Sequence, residues 1–270
     1  MKKIRIPEWK DVEGSKRISQ QTMLKSITSL TQALVELITN VDDAYERFNS
    51  PNKKYRGNCA VFYDRGGETR PTTIKVSDRA AGMDSEKLYS VLKKHGDKVK
   101  SEGASRGFFA RGLLDTSSIA DVFIQTVKNK KITTAQIKHQ TMQYKIIDKD
   151  VAINQVNKTL AKNIDGFDYF KNKKLRDGTE IILKIPPKII NIPQVKSLVN
   201  NLKTQYQLRN ILSDDKNTEF KNTLDLTLFD KKKEKYPISF TSPKAELVQE
   251  KIINLEPREG KKVKAVFKLF

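Results

Sequence analysis

The fold prediction starts from residues 36–45, which read ELITNVDDAY. Each residue of an α-helix turns the chain by about 100°, so Glu36, Asn40 and Asp43 lie along one edge. The apolar side chains of the same helix lie on the opposite side: Leu30, Leu34, Leu37, Ile38, Val41, Tyr45 and Phe48. The stretch therefore predicts an amphipathic helix with a carboxylate–amide–carboxylate edge. Taken alone, such an edge is also typical of a plain solvated helix face.

Periodicity and turn residues on either side extend this helix into an α+β pattern. The helical pattern runs from about residue 18 to residue 48, as one broken helix or two. Apolar and β-branched runs predict strands at residues 58–64, 72–77, 121–128, 132–139 and 178–186, and Arg65-Gly66-Gly67 predicts a hairpin turn between the first two. Helices are also predicted at residues 85–94, with Asp84 or Ser85 as N-cap, and at residues 107–120. The remaining segments are an irregular basic arm at 1–18, a polar loop at 96–105 and an ambiguous stretch at 150–177.

Three later motifs place chemically distinctive residues at turns. In VSDRAAGMD, residues 76–84, Asp78 ends a strand and small residues follow, which lets a flat ligand approach the backbone. In SRGFFARGLLD, residues 105–115, Gly107 and Gly112 flank a helix start whose N–H groups suit an anionic phosphate. In RDGTEIILKIP, residues 176–186, Gly178-Thr179 begins a β-prone run. Each motif alone is more typical of an ordinary turn or of helix packing.

Together and in this order, the four motifs resemble the GHKL superfamily of ATPases. That family includes the DNA gyrase B subunit, MutL, the ninety-kilodalton heat-shock chaperones, MORC proteins and histidine kinases. The matching residues are Glu36, Asn40, Asp43-Ala44, Asp78, Gly82-Met83, Gly107, Gly112 and Gly178-Thr179. Their order and spacing match over about residues 20–190. Ala80 and Ala110 stand where the family has glycine, so the loop after Asp78 and the lid depart from the family pattern.

The resemblance implies a Bergerat-type α/β sandwich, which is an α+β fold with a mixed, mainly antiparallel sheet and helices on one face. It implies ATP and Mg²⁺ as cofactors, with Glu36 as the general base or as the residue that orients the attacking water, and Asn40 as a ligand of Mg²⁺. Asp78 would accept a hydrogen bond from the adenine amino group. The nucleotide-binding residues that it implies are Asn40, Asp43, Asp78, Gly82, Met83, Arg106, Gly107, Phe108, Phe109, Ala110, Arg111, Gly112 and Thr179.

Residues 93–106 correspond to the family's lid. Lys98, Lys100 and Arg106 lie in or beside it, and the resemblance implies that one of them reaches the terminal phosphate. Solvated loop charge is the alternative for each. Family members of this kind dimerise when ATP binds, often by exchanging an N-terminal arm. Residues 1–18 are the candidate arm here, and a disordered terminus is the alternative interpretation.

Two domains are expected, with a boundary near residue 190. Pro186-Pro187 and Pro193 mark it, so residues 1–190 form the ATP-binding domain with its N-terminal arm. A helix at 193–212 and alternating segments at 220–230, 237–240, 245–255 and 263–270 follow, which predict an antiparallel sheet. The stretch YQLRNILSDD, residues 206–215, resembles the start of the transducer-type domain of gyrase, MutL and MORC relatives. The chain is therefore expected to be a fragment of a longer protein.

Composition restricts the partners and the compartment. The 270 residues include 52 Lys and Arg against 32 Asp and Glu, a net charge of +20. This excess favours polyanions such as nucleic acid or nucleotide phosphates, although a lysine-rich genome would produce it without such a partner. No apolar run approaches the roughly 18 residues that a membrane span needs, and no secretory signal is visible. With a single cysteine, Cys59, the chain is expected in the cytoplasm, or in the nucleus if it is eukaryotic.

Three function classes follow from these observations. The leading one is Mg²⁺-dependent ATP binding with slow hydrolysis, which drives lid closure and homodimerisation of a larger protein acting on nucleic acid. The second is a non-hydrolysing nucleotide-binding or interaction module, because without its full second domain the chain would be weakly active or inactive. The third is a histidine kinase. His95 and His139 disfavour it, since both follow the Glu36 motif, whereas a phosphoacceptor helix would precede it.

Overall fold

The computed structural model describes residues 8–11, 26–46, 48, 56–93, 109–141, 143–155, 176–212, 223–241, 249–255 and 263–269. The chain forms two compact units, residues 1–240 and residues 241–270. The described helices are α1 (Leu30–Glu46), α2 (Ser85–Lys93), α3 (Phe109–Asp115), α4 (Val195–Lys203) and α5 (Arg209–Leu212). The strands of the first unit are β1 (Lys10–Asp11), β2 (Gly57–Asp64), β3 (Thr72–Asp78), β4 (Asp121–Lys128), β5 (Lys131–Lys138), β6 (Gln143–Val151), β7 (Gly178–Ile185), β8 (Leu224–Asp230) and β9 (Lys235–Ile238). β10 (Gln249–Leu255) and β11 (Val263–Leu269) form an antiparallel pair in the second unit.

One nine-stranded sheet organises the first unit. Its strand order is β1-β6-β5-β4-β7-β3-β2-β8-β9, and every neighbouring pair is antiparallel except β2–β8, which is parallel. The hairpin predicted around Arg65-Gly66-Gly67 is present, with Val61 opposite Val76. The predicted α+β class with a mainly antiparallel sheet is therefore confirmed.

The five helices pack on one face of this sheet. Side chains of each strand alternate between the two faces, so every second residue of a strand points toward the helices. On β2, Cys59, Val61 and Tyr63 are buried and join one core cluster with residues of the five helices. The apolar side of α1 packs into that core, where Leu34, Leu37 and Ile38 have no exposed surface. Phe48 was predicted on this side. It instead lies beyond the end of α1 and is 41% exposed.

The first edge of the sheet differs from the sequence prediction. Lys10 and Asp11, predicted as part of an irregular arm, pair with Tyr144 and Gln143 at the start of β6. β6 itself was not predicted, because its sequence QYKIIDKDV lacks strict alternation. It forms a strand by pairing with β5, and the register of this pairing shifts near Thr134.

The residues after 190 also differ from the prediction. The helix expected at 193–212 is interrupted, since α4 ends at Lys203 and a short 3-10 turn precedes α5. β8 and β9 extend the main sheet beside β2 and do not belong to a separate antiparallel sheet, because β8 pairs with β2 in parallel. The first compact unit accordingly extends to residue 240, past the predicted boundary at 190. The transducer-like identity of the later residues stays a prediction.

Across the part of the chain that the structure describes, no helix is both long and apolar enough to cross a membrane.

Candidate functional site

The polar edge of α1 is only partly solvated. Glu36 is exposed, but Asn40 and Asp43 are only 6% and 3% exposed, on a helix that packs against α3, α4, β2 and β3. Within the described residues, the Nδ2 atom of Asn40 is buried without a hydrogen-bond partner. An unsatisfied buried amide costs about 1–3 kcal/mol, so it marks a position where a further group is expected to bind. The interpretation of this edge as a plain solvated face is therefore wrong for Asn40 and Asp43.

Glu36 lies directly against α3. A Cβ atom added to Gly112 would be 2.5 Å from the Oε2 atom of Glu36. The close approach of this carboxylate to the α3 backbone is thus possible only because residue 112 has no side chain. The structure brings together Glu36 of the first motif and Gly112 of the third, 76 positions apart in the sequence.

Asp78 ends β3 as a buried carboxylate, 6% exposed. Its Oδ1 atom accepts hydrogen bonds from the backbone N–H groups of Ala80 (2.8 Å) and Thr179 (3.2 Å). Within the described residues, Oδ2 accepts no hydrogen bond and Asp78 forms no ion pair. Burial raises the pKa of this carboxyl to about 6, although the two backbone hydrogen bonds act in the opposite direction.

The loop after Asp78 requires the glycine that the sequence provides. Gly82 has a φ of +61°, and a Cβ atom there would be 1.9 Å from the carbonyl oxygen of Val127. Gly178, at the start of β7, has a φ of +146°, and a Cβ atom there would be 2.3 Å from the Asp78 carbonyl oxygen. Ala80, which replaces a family glycine, does not adopt a positive φ. The substitution therefore leaves this backbone unstrained.

Thr179 and Met83 meet through Thr126, a residue that none of the four sequence motifs contains. The Met83 N–H donates to Thr126 Oγ1 (2.6 Å), which is 3.4 Å from Thr179 Oγ1. All three side chains are buried. Thr126 is opposite Thr179 in the β4–β7 pairing, so only the strand register could have pointed to it.

Tyr45 is a second residue whose role was missed. It was predicted on the apolar side of α1 and is buried there. Its hydroxyl, however, bonds to the backbone at both Asn58 and Arg79, so it joins α1 to the segment that follows Asp78.

The lid motif is placed only in part. Phe109, Ala110 and Arg111 begin α3, which also contains Gly112. The other candidates of this region lie outside the described residues: Lys98, Lys100, Arg106, Gly107 and Phe108. The described part of the motif thus places α3 against Glu36, and the residues expected to contact phosphate stay predictions.

The residues of the site suit Mg²⁺ only as an ion shared with a phosphate ligand. No group of three or more His, Cys, Asp or Glu side chains within the described ranges forms a metal cage. Mg²⁺ commonly takes one or two protein oxygens together with phosphate oxygens and water. Asn40 carries one amide oxygen, Oδ1, that can serve as the single protein ligand, while its buried atom that lacks a partner among the described residues is the donor Nδ2.

The titration of Asp78 leads to a testable pH dependence. If the ionised carboxylate accepts a hydrogen bond from the base, ATP affinity is complete above pH 7 and is lost as the pH falls through about 6. Protonation of this one carboxyl predicts that ATP binds about tenfold more weakly at pH 5 than at pH 7, which calorimetry can measure. The raised pKa makes this carboxyl's own contribution to folding stability increase on acidification. Weaker binding at pH 5 without a lower unfolding midpoint therefore supports the titration, and an equal affinity at both pH values contradicts it.

Comparison with known proteins does not assign the chain to a family. It matches no family model, and no curated protein is significantly similar to it.

Proposed function

We propose that this protein binds ATP with Mg²⁺ in a Bergerat-type site of the GHKL kind and hydrolyses it slowly. The observation that carries the proposal is Asp78, a buried carboxylate that forms no ion pair with any described residue. Two backbone N–H groups hold its Oδ1 atom, and Oδ2 is left to accept a further hydrogen bond. Buried ionisable groups with raised pKa values occur preferentially at functional sites.

The proposed base specificity follows from the direction of these hydrogen bonds. Adenine carries an amino donor where guanine carries the O6 acceptor. A carboxylate oxygen accepts from the first and repels the second, so Asp78 selects adenine. The Thr126–Thr179 hydroxyl pair adjoins this carboxylate, because Thr179 also donates its N–H to Asp78. Because Gly82 and Gly178 have no side chains, the backbone carbonyl of Val127 can lie against Gly82 and that of Asp78 against Gly178.

The phosphate end of the proposed site is formed by α1 and α3. Glu36 is exposed and lies against Gly112, where it can accept a proton from an attacking water. Asn40 would supply the protein oxygen to Mg²⁺, and Asp43 supports the same edge of α1. Phosphoryl transfer depends mainly on positioning and charge stabilisation, so this small set of side chains is sufficient.

The test compares nucleotides by thermal shift and calorimetry with and without Mg²⁺. ATP, ADP and a non-hydrolysable ATP analogue are expected to raise the unfolding midpoint and to release or absorb heat on binding, whereas GTP is expected to bind much more weakly. Phosphate release then separates an ATPase from a non-hydrolysing binding module. Absence of any adenine-nucleotide binding by the folded chain would refute the proposal.

Closure and dimerisation belong to the same proposal. In this proposal, residues 93–106 act as the lid and residues 1–18 as the exchanged arm. Residues 191–270 include the start of a transducer-like domain. Mass measured by light scattering is expected to double with the ATP analogue and to stay that of a monomer without it. A monomer at saturating analogue would refute the dimer.

A second partner class, nucleic acid, has one supporting feature at the β1 edge. Trp9 is 37% exposed, with Lys145 Nζ at 4.3 Å and Lys138 Nζ at 6.0 Å from its ring centroid. Aromatic rings beside cations suit single-stranded nucleic acid, which stacks bases and neutralises phosphates.

Trp9 is the sole tryptophan, so its fluorescence reports on this edge alone. An oligothymidylate is expected to quench it in a salt-sensitive manner, and more weakly after Lys138→Glu with Lys145→Glu. Unchanged emission at about 100 μM oligonucleotide would contradict this partner.

A further inference from the structure

Tyr45 connects three segments that surround the proposed base pocket. It lies in the last turn of α1, two residues after Asp43, and is 9% exposed. Its hydroxyl donates a hydrogen bond to the carbonyl oxygen of Asn58 on β2 (3.2 Å) and accepts one from the N–H of Arg79 (2.9 Å). Burial raises the pKa of the phenol, so the donating proton is kept. Both hydrogen-bonding functions of the hydroxyl are therefore used on backbone groups.

The Tyr45 ring packs directly on the backbone of Gly57, which has no side chain to keep the ring away. A Cβ atom on Gly57 would be 2.3 Å from Cδ2 and 2.6 Å from Cγ of the ring. Such distances are far below van der Waals contact, so the ring lies directly on the Gly57 backbone. Packing thus orients the ring, and the ring aims the hydroxyl at Arg79.

The hydrogen bond at Arg79 acts on the segment that presents Asp78. Arg79 directly follows Asp78, and the next residue, Ala80, donates its N–H to Asp78 Oδ1. On the other side, Gly178 lies against the Asp78 carbonyl oxygen. The peptide between Asp78 and Arg79 is therefore fixed from both sides, and Tyr45 is the group that ties it to the helix carrying Glu36.

We propose that Tyr45 is a positioning residue, whose hydroxyl sets the direction of the Asp78 carboxylate and so contributes to the preference for adenine. This inference rests on the proposed function. It goes further by naming a residue outside the base pocket that controls base selectivity, and by coupling the base end of the site to α1.

The test uses Tyr45→Phe, which keeps the ring on Gly57 and removes only the hydroxyl. Tyr63→Phe is the matched control, because Tyr63 is also buried and its hydroxyl also donates to a backbone carbonyl, that of Pro193 (2.5 Å). Both variants are expected to unfold at a somewhat lower temperature. Only Tyr45→Phe is expected to weaken ATP binding, by about five- to tenfold, and to reduce the ratio of ATP to GTP affinity.

A second measurement needs no nucleotide. The Asp78 carboxyl is titrated by carbon NMR in the free protein, together with the hydrogen exchange of the Arg79 and Ala80 amides. In Tyr45→Phe the two amides are expected to exchange faster and the carboxyl midpoint to rise, because the Ala80 hydrogen bond to Oδ1 is loosened. The Tyr63→Phe control is expected to leave both unchanged.

The outcomes separate this inference from the proposed function. Failure of the unaltered chain to bind any nucleotide refutes the proposed function, and the NMR titration still decides whether Tyr45 positions Asp78. If Tyr45→Phe matches the Tyr63→Phe control in the Asp78 midpoint, in amide exchange or, where ATP binds, in the ATP-to-GTP ratio, Tyr45 is merely structural and the inference is overturned.

Discussion

Asp78→Asn is expected to abolish adenine recognition while leaving the fold intact. The two backbone N–H groups of Ala80 and Thr179 require an acceptor, so the amide oxygen would replace Oδ1 and the amide NH₂ would replace Oδ2. That NH₂ group is a donor facing the adenine amino donor. The lost hydrogen bond and the resulting repulsion predict ATP binding about 100-fold weaker by calorimetry. GTP is expected to lose nothing, because guanine O6 accepts from the new amide.

The same substitution removes a buried charge. A pKa of about 6 in place of the ordinary 3.8 means that the ionised Asp78 side chain lowers stability by about 3 kcal/mol at neutral pH. The variant is therefore expected to unfold at the same temperature as the unaltered chain or higher, so lost binding cannot be attributed to unfolding. Asp225→Asn is the control, since the side-chain interaction of Asp225 within the described residues is an exposed ion pair with Arg56. Unchanged ATP affinity in Asp78→Asn would refute the base-reading role.

Glu36→Gln is expected to separate binding from hydrolysis. Glutamine keeps the shape of the side chain beside Gly112 but cannot accept a proton from water at neutral pH. A general base contributes about 10²- to 10⁴-fold to a rate, so single-turnover phosphate release should fall by at least about 100-fold. The dissociation constant for ATP should stay within about a factor of two, because an exposed carboxylate near phosphates contributes little to nucleotide binding.

Glu46→Gln provides the matched comparison. Glu46 is an exposed residue of the same helix, at its last position, and the chemical change is identical. It is expected to leave both ATP binding and phosphate release unchanged. Hydrolysis by Glu36→Gln at the rate of the unaltered chain would show that another group accepts the proton and would remove Glu36 from the proposed mechanism.

The local elements were predicted well because their determinants lie within a few residues of each other. The N-cap of α2 is an example: Asp84 Oδ1 accepts the N–H of Lys87 (2.8 Å), as the sequence suggested for Asp84 or Ser85. The apolar side of α1 is another, since its periodicity alone placed Leu34, Leu37 and Ile38 in the core. β6 was missed because two adjacent isoleucines and scattered charges hide its alternation, and its strand conformation depends on β5.

The candidate site was predicted as a set of residues but not as an arrangement. The sequence singled out Glu36, Asn40, Asp78 and Thr179, and the structure shows what surrounds each of them. Thr126 and Tyr45 could not be found in this way. Thr126 matters because β4 pairs with β7, and Tyr45 because its hydroxyl reaches a loop 34 positions away. Nothing in a helical or strand pattern encodes either relation.

By itself, the sequence determined the amphipathic helix, the β2–β3 hairpin, the α2 cap and the glycine positions, because these depend on side chains close together in the chain. Only the tertiary structure decided that Asp78 meets Thr179 across the sheet, that Glu36 lies against Gly112 and that β8 joins β2. The physical reason is that burial and strand register depend on contacts between segments about 75 to 170 positions apart. The side-chain pattern of one segment does not specify which distant segment it pairs with.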